Sequence, residues 1–191
     1  MPDEPLEGDG VAEARGPRRS FWSVVFEWVV IIVLAVLVSQ ALRTWVIATY
    51  TVPTPSMVPT IEVGDRFVVD RLVYLYRKPQ PGDIVLFDDP GRVLPALVKR
   101  VIAVEGHTVD LKDGHVIIDG VVASEPYTYG KPSVPQSFPL PVTIPAGYVW
   151  VMGDNRTDSG DSRTFGPIPV SSIHGRAVFK YWPPDDIGTL H

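Results

Sequence analysis

Leu97 to Val122 reads LVKRVIAVEGHTVDLKDGHVIIDGVV. Leu97–Val104 is an apolar run rich in β-branched residues. His107–Lys112 then meets Asp113-Gly114, His115–Ile118 follows, and Asp119-Gly120 leads into Val121-Val122. An Asp-Gly pair between β-rich runs supplies the positive φ angles of a two-residue hairpin turn, so two successive hairpins are predicted. Outward from this stretch, Phe67–Val69, Asp83–Phe87, Tyr148–Met152 and Ala177–Trp182 read as further short strands. Glu125–Pro145 holds six prolines in 21 residues and reads as a surface excursion. No repeat of 20–50 residues is present. The fold class expected is mainly β, with many short strands and turns.

The whole chain has 191 residues, 45% of them hydrophobic and 20% charged, which excludes a disordered polypeptide. Its 20 prolines exclude a helical bundle. With no cysteine there is no disulfide framework, thiolate zinc site, iron–sulfur cluster or cysteine nucleophile. A net charge of −5 argues against a chain-wide grip on nucleic acid.

One segment departs from the β pattern. Phe21–Leu42 reads FWSVVFEWVVIIVLAVLVSQAL, 22 residues with Glu27 as the one charge. About 20 helical residues cross the hydrocarbon of a bilayer, and β-branched residues in lipid must still be helical. Trp22 and Trp28 lie toward one end and Trp45 toward the other, as interfacial rings do. The alternatives are a cleaved signal peptide or a buried core helix. Ser39-Gln40-Ala41 is a poor cleavage site, which favours an uncleaved anchor. Arg15, Arg18 and Arg19 crowd its N-terminal side, while Arg43 and Arg66 are sparser beyond it. That asymmetry predicts residues 1–20 as a disordered cytoplasmic tail, 21–42 as the span and 43–191 as an extracytoplasmic domain.

No G-x-S-x-G elbow or H-E-x-x-H pair is present, and none of His107, His115, His174 and His191 stands out. The acidic loop Gly153–Arg163 fails as a calcium loop. Counted from Asp154, its third position is Arg156 and its twelfth is Phe165. Serine with lysine remains. Ser56 lies in Pro53-Thr54-Pro55-Ser56-Met57-Val58-Pro59-Thr60, where prolines fix backbone angles and withdraw N–H groups. This reads either as a stiff mount for a nucleophile or as a Pro-rich linker. Alternation along Leu97, Lys99, Val101 and Ala103 puts Lys99 on a face with apolar neighbours and Arg100 on the other. Lys99 is then either a desolvated base or an exposed strand lysine.

Taken together, these segments resemble bacterial type I signal peptidases from Trp28 to Trp182. The parts occur in that family's order: an anchor, Pro53–Thr60, Gly82–Phe87, Lys99–Val101 and Gly153–Arg163. The single span and short insertion look like the compact Gram-positive or cyanobacterial members. The resemblance implies a signal-peptidase-like β fold of antiparallel sheets behind one transmembrane helix. It implies Ser56 as nucleophile, Lys99 as general base, and Thr54 with the Ser56 N–H as oxyanion donors. It places Ser159 as the hydroxyl that hydrogen-bonds the lysine. Asp161 and Arg163 would brace the loop whose turn is Gly153, Asp154 and Asn155. Val52 and Val98, with Tyr50 and Ile61, would line pockets for small residues of an Ala-x-Ala site. Thr54 and Pro55 depart from the usual serine and glycine.

The resemblance further implies removal of signal peptides from exported preproteins at the bacterial plasma membrane. The partners expected are those signal peptides and the lipid bilayer, with no nucleic acid, no metal and no cofactor. An ordinary lysine, with a pKa of about 10.4, is a poor base at neutral pH. Lowering it to about 7–8 needs about 4 kcal/mol of differential solvation, which a strand face of Leu97, Val101 and Ala103 with no adjacent carboxylate could provide. Arg43 to Ser56 is 13 residues, at most about 45 Å of extended chain, which keeps the serine close to the bilayer. Three competing readings remain: a self-cleaving repressor of the Ser–Lys type, a silent membrane-anchored scaffold, and a metal-binding surface protein.

Overall fold

The computed structural model of the protein describes residues 21–41 and 47–190. The expected tail 1–20, and Leu42, Arg43, Trp45 and His191, lie outside the described residues. The chain divides into two compact units, one ending at Gln40 and one beginning at Ala41. The helix α1 (Phe21–Ala41), which lies in the first unit but for its last residue, is long and apolar enough to cross a membrane. Most of its large apolar side chains are exposed.

The second unit is built of strands. Among the described residues they form two antiparallel sheets. The larger contains β1 (Ile47–Thr51), β2 (Arg66–Asp70), β3 (Ile84–Phe87), β4 (Leu97–Val104), β9 (Tyr148–Met152), β10 (Ile168–Pro169), β11 (Ile173–Trp182) and β12 (Gly188–Thr189). Their order is β1-β2-β11-β3-β4-β9-β10, with β12 beside β11. The smaller contains β5 (Thr108–Lys112), β6 (His115–Ile118), β7 (Val121–Val122) and β8 (Val142–Thr143), in the order β7-β6-β5-β8. Both predicted hairpins form. Asp113 and Gly114 have φ of 53° and 81°, Asp119 and Gly120 of 52° and 84°, the paired positive angles such turns require.

Three apolar clusters hold the unit together. Val52, Met57, Ile61, Phe67, Ile84 and Leu86 pack at the β1–β2 end. Val85, Phe87, Val101, Val149 and Val151 form a second cluster. Ile102, Val109, Val116, Ile144 and Trp150 join the two sheets. β4 supplies two of these clusters because successive strand residues point to opposite faces of the sheet, and a bulge between Val101 and Ala103 interrupts its register with β9. The bulge also overturns the simple alternation: Val101 belongs to one cluster, whereas Ile102 and Ala103 both belong to another.

The Pro-rich segment 125–145 is more tightly held than a surface excursion. Phe138 meets Trp150 edge-to-face at 5.7 Å, and its N–H donates to Arg163 O at 2.8 Å. Thr128, Ser133 and Ile144 are buried. Prolines here set the path of a packed strap and leave the side chains between them free to fill the second core.

Candidate active site

Ser56 sits in one 3-10 turn, Pro55–Met57, rather than in extended chain. Pro55 occupies the first position of the turn, where its missing N–H costs nothing. Met57 is fully buried and anchors the turn in the β1–β2 core. Ser56 is left 7% exposed, enough to be reached from the cleft beside it.

Lys99 enters from β4, with its Nζ 2.5 Å from Ser56 Oγ. Its side chain is buried, and burial pushes its pKa down to about 8. Three carboxylates oppose that fall, Asp161, Asp154 and Asp89, while the Arg163 guanidinium assists it. The expectation of no adjacent carboxylate is therefore corrected. The carboxylates come from other segments and moderate the shift, but desolvation wins. Thr54 Oγ1 lies 3.4 Å from Ser56 Oγ.

Loop 153–163 closes over this pair. Asp161 caps α2 (Ser162–Phe165), accepting from Arg163 N. It also accepts from Arg163 Nε at 2.9 Å and Nη2 at 2.8 Å, with both side chains fully buried. The same carboxylate accepts from Gly153 N at 3.1 Å and Ser159 Oγ at 2.8 Å. The hydrogen bond implied between Ser159 and Lys99 is thus not the one formed. Ser159 donates to Asp161, and among the described residues Lys99 Nζ has its hydrogen bond with Ser56. The Ser159 hydroxyl has one proton, which goes to the Asp161 carboxylate and orients the serine toward that group.

Gly153 is required for space. A Cβ there would collide with Ser159 Oγ and the carbonyl oxygen of Ser56. Gly153→Ala is expected to cost about 1–3 kcal/mol of stability by overpacking. It should also displace one of the two serines, which thermal melting and peptide cleavage would register together.

The remaining loop residues grip neighbouring elements. Asp154 takes both Arg100 Nε at 2.8 Å and Nη2 at 2.7 Å, and accepts from Thr60 Oγ1 at 2.5 Å. Asn155 donates from Nδ2 to Pro55 O and from its backbone N–H to Ser56 O, each at 3.0 Å. Arg156 is buried in a two-point pair with Glu125 and donates to Gly153 O. Arg100 lies 4.1 Å from the Tyr127 ring centroid. Arg100, Thr60, Glu125, Tyr127 and Arg156 were not identified as site residues beforehand. Thr60, Arg100 and Arg156 lie within the segments that carry the resemblance, but Glu125 and Tyr127 show no pattern of their own.

A cleft runs past Ser56, lined by Tyr50, Val52, Thr54, Leu86, Val98 and His174 among others. Tyr50, Val52 and Val98 are among the residues that line this cleft. Ile61 is not: it is fully buried in the β1–β2 core beneath the turn, so it supports Ser56 instead of meeting a ligand. His174, an exposed residue, pairs with Asp88 at 2.7 Å beside the cleft.

A family model described as signal peptidase, peptidase S26, matches residues 25–182. Thylakoidal processing peptidase 1 of Arabidopsis thaliana chloroplasts is 37% identical over 164 residues, covering 80% of this chain and 47% of its own. The chain thus spans about half the length of the chloroplast relatives it matches. A probable signal peptidase I-1 of Synechocystis is 37% identical over 182 residues, 91% of each chain. Signal peptidase I of Mycobacterium tuberculosis is 35% identical over 245 aligned positions, 99% of this chain and 83% of its own.

Proposed function

The chain belongs to the signal peptidase S26 family, and from that premise we propose that it removes N-terminal signal peptides from exported preproteins, with Ser56 as nucleophile and Lys99 as general base. The observation that carries the residue assignment is the 2.5 Å contact between Ser56 Oγ and a buried Lys99 whose pKa is pushed down to about 8. A lysine so placed can take a proton at near-neutral pH and return it.

Neutral Lys99 accepts the Ser56 proton as Oγ attacks the scissile carbonyl. The Ser56 N–H and the Thr54 hydroxyl meet the developing oxyanion. Protonated Lys99 gives its proton to the leaving amine. A water, activated by the same lysine, then hydrolyses the acyl-enzyme. Asp161, the largest carboxylate influence on Lys99, keeps its basicity from collapsing. Ser159 links that carboxylate to the loop above the pair.

The substrate is proposed to bind as an added strand along the cleft beside β1, whose outer edge has no partner among the described strands. Val52 and Val98 narrow the cleft next to Ser56 and suit alanine at the −1 and −3 positions. The helix α1 supports membrane anchoring by a single pass. The arginine asymmetry supports residues 1–20 as a cytoplasmic tail and 43–191 as the extracytoplasmic domain at the plasma membrane.

The test is cleavage of a preprotein with an Ala-x-Ala site by the full chain in detergent, with the product N-terminus sequenced. One cut after the final alanine is expected, and leucine at −1 should lower the rate about 10–100-fold. A folded chain that leaves the preprotein intact, or cuts without regard to the −1 residue, would refute the function.

A further inference from the structure

We propose that Lys131, in the Pro-rich strap, is a positioning residue for the reaction: it fixes the Asn155 amide that aims the Ser56 N–H at the oxyanion. This rests on the reading of Ser56 as nucleophile.

The Pro55 C=O and the Ser56 N–H belong to the same trans peptide, so they point in opposite directions, and holding one aims the other. Pro55 O is held by Asn155 Nδ2 at 3.0 Å and by the Val58 N–H at 3.1 Å. The Asn155 backbone N–H fixes the next carbonyl, Ser56 O, at 3.0 Å. Asn155 therefore controls both peptide groups that flank the nucleophile.

A side-chain amide can turn over, exchanging its donor and acceptor ends. Here Lys131 Nζ donates to Asn155 Oδ1 at 2.7 Å, and Thr157 Oγ1 lies 3.3 Å from the same oxygen. A turned amide would set NH2 against the Lys131 ammonium and oxygen against Pro55 O, two mismatches at once. The lysine is delivered by a built turn. Tyr129 and Gly130 have φ of 52° and 75°, and the Lys131 N–H donates to Thr128 O at 3.1 Å. Ser133 N–H then ties the strap to Gly114 O at 2.7 Å.

The experiment is kcat and KM for preprotein cleavage by wild type, Lys131→Met, Lys131→Arg, Asn155→Ala, Lys131→Met with Asn155→Ala, and Ser56→Ala. Removing an oxyanion donor costs about 10²–10³ in kcat, and misaiming one should cost less. Lys131→Met is expected to lower kcat about tenfold with KM within about twofold, and Lys131→Arg to recover most of the loss. The double variant should be no slower than Asn155→Ala alone, because both act on one amide. An unchanged kcat in Lys131→Met, a loss confined to KM, or fully multiplicative losses in the double variant would overturn the proposal. Ser56→Ala separates the two claims. Turnover surviving there removes the nucleophile and this inference with it. Turnover lost there but unchanged in Lys131→Met removes the inference alone.

Discussion

Lys99→Met is expected to lower kcat/KM about 10³-fold at pH 8, within the usual range for losing a general base. Ser56→Ala should be at least as severe. The distinguishing feature of the lysine variant is its stability. Burying the ammonium lowers its pKa from 10.5 to about 8, a difference on the order of 3 kcal/mol against the protonated folded form. Methionine fills similar space without that charge, so the melting temperature should not fall at pH 7. The pH dependence follows with a definite sign. The unfolded chain keeps the Lys99 proton up to about pH 10.4, while the folded protein releases it above about 8. Between those values the unfolded state binds more protons, so wild-type stability gains from this residue as pH rises. Below about pH 8 both states are protonated and the penalty is constant. Thermal melts of wild type and Lys99→Met from pH 7 to 10 should converge as pH rises. A Lys99→Met variant that melts well below wild type at pH 7 would contradict the buried-charge account.

Asp161→Asn should have the largest effect on stability. Asp161 and Arg163 are both fully buried, and neutralising one partner leaves an uncompensated charge inside the protein. Such losses run to about 3–5 kcal/mol. For a domain of this size that is a fall in melting temperature on the order of 10 °C. The residual activity should shift in a revealing direction. Asp161 raises the Lys99 pKa and Arg163 lowers it, so removing the carboxylate lets Lys99 lose its proton at lower pH. The rising limb of the pH–rate profile should move below its wild-type midpoint. An unchanged melting temperature would remove the bracing role, and a limb displaced upward would remove the electrostatic one.

The parts of the fold that were legible in the sequence are those whose physics is local. Asp113-Gly114 and Asp119-Gly120 announce positive φ angles, and the hairpins stand where those pairs fall. The single long apolar run became α1. The two-residue strands β8, β10 and β12 carry no pattern long enough to read. The strand β11 begins earlier than expected because Gly175 breaks its β pattern, where the chain passes close to Asp70 O. The apolar flanks of Lys99 leave it either a desolvated base or an exposed strand lysine, and they say nothing of the carboxylates around it. Asp89 arrives from the connection between β3 and β4, and Asp154 and Asp161 from loop 153–163. For the same reason the two-point grip of Arg156 on Glu125 and that of Lys131 on Asn155 join residues 31 and 24 positions apart, with no local signature. Ile61 was misplaced because an apolar residue near the nucleophile reads alike whether it lines a pocket or supports the turn from below.

The central claim is that Ser56 is activated by a neutral Lys99. Its most direct measurement is the pH dependence of kcat/KM for cleavage after Ala-x-Ala, from pH 5 to 10. A single rising limb is expected, with its midpoint near 8, the value to which burial brings Lys99, and a plateau above it. A midpoint near 6.5, the ordinary histidine value, or one near 10.4, that of a solvated lysine, would contradict it.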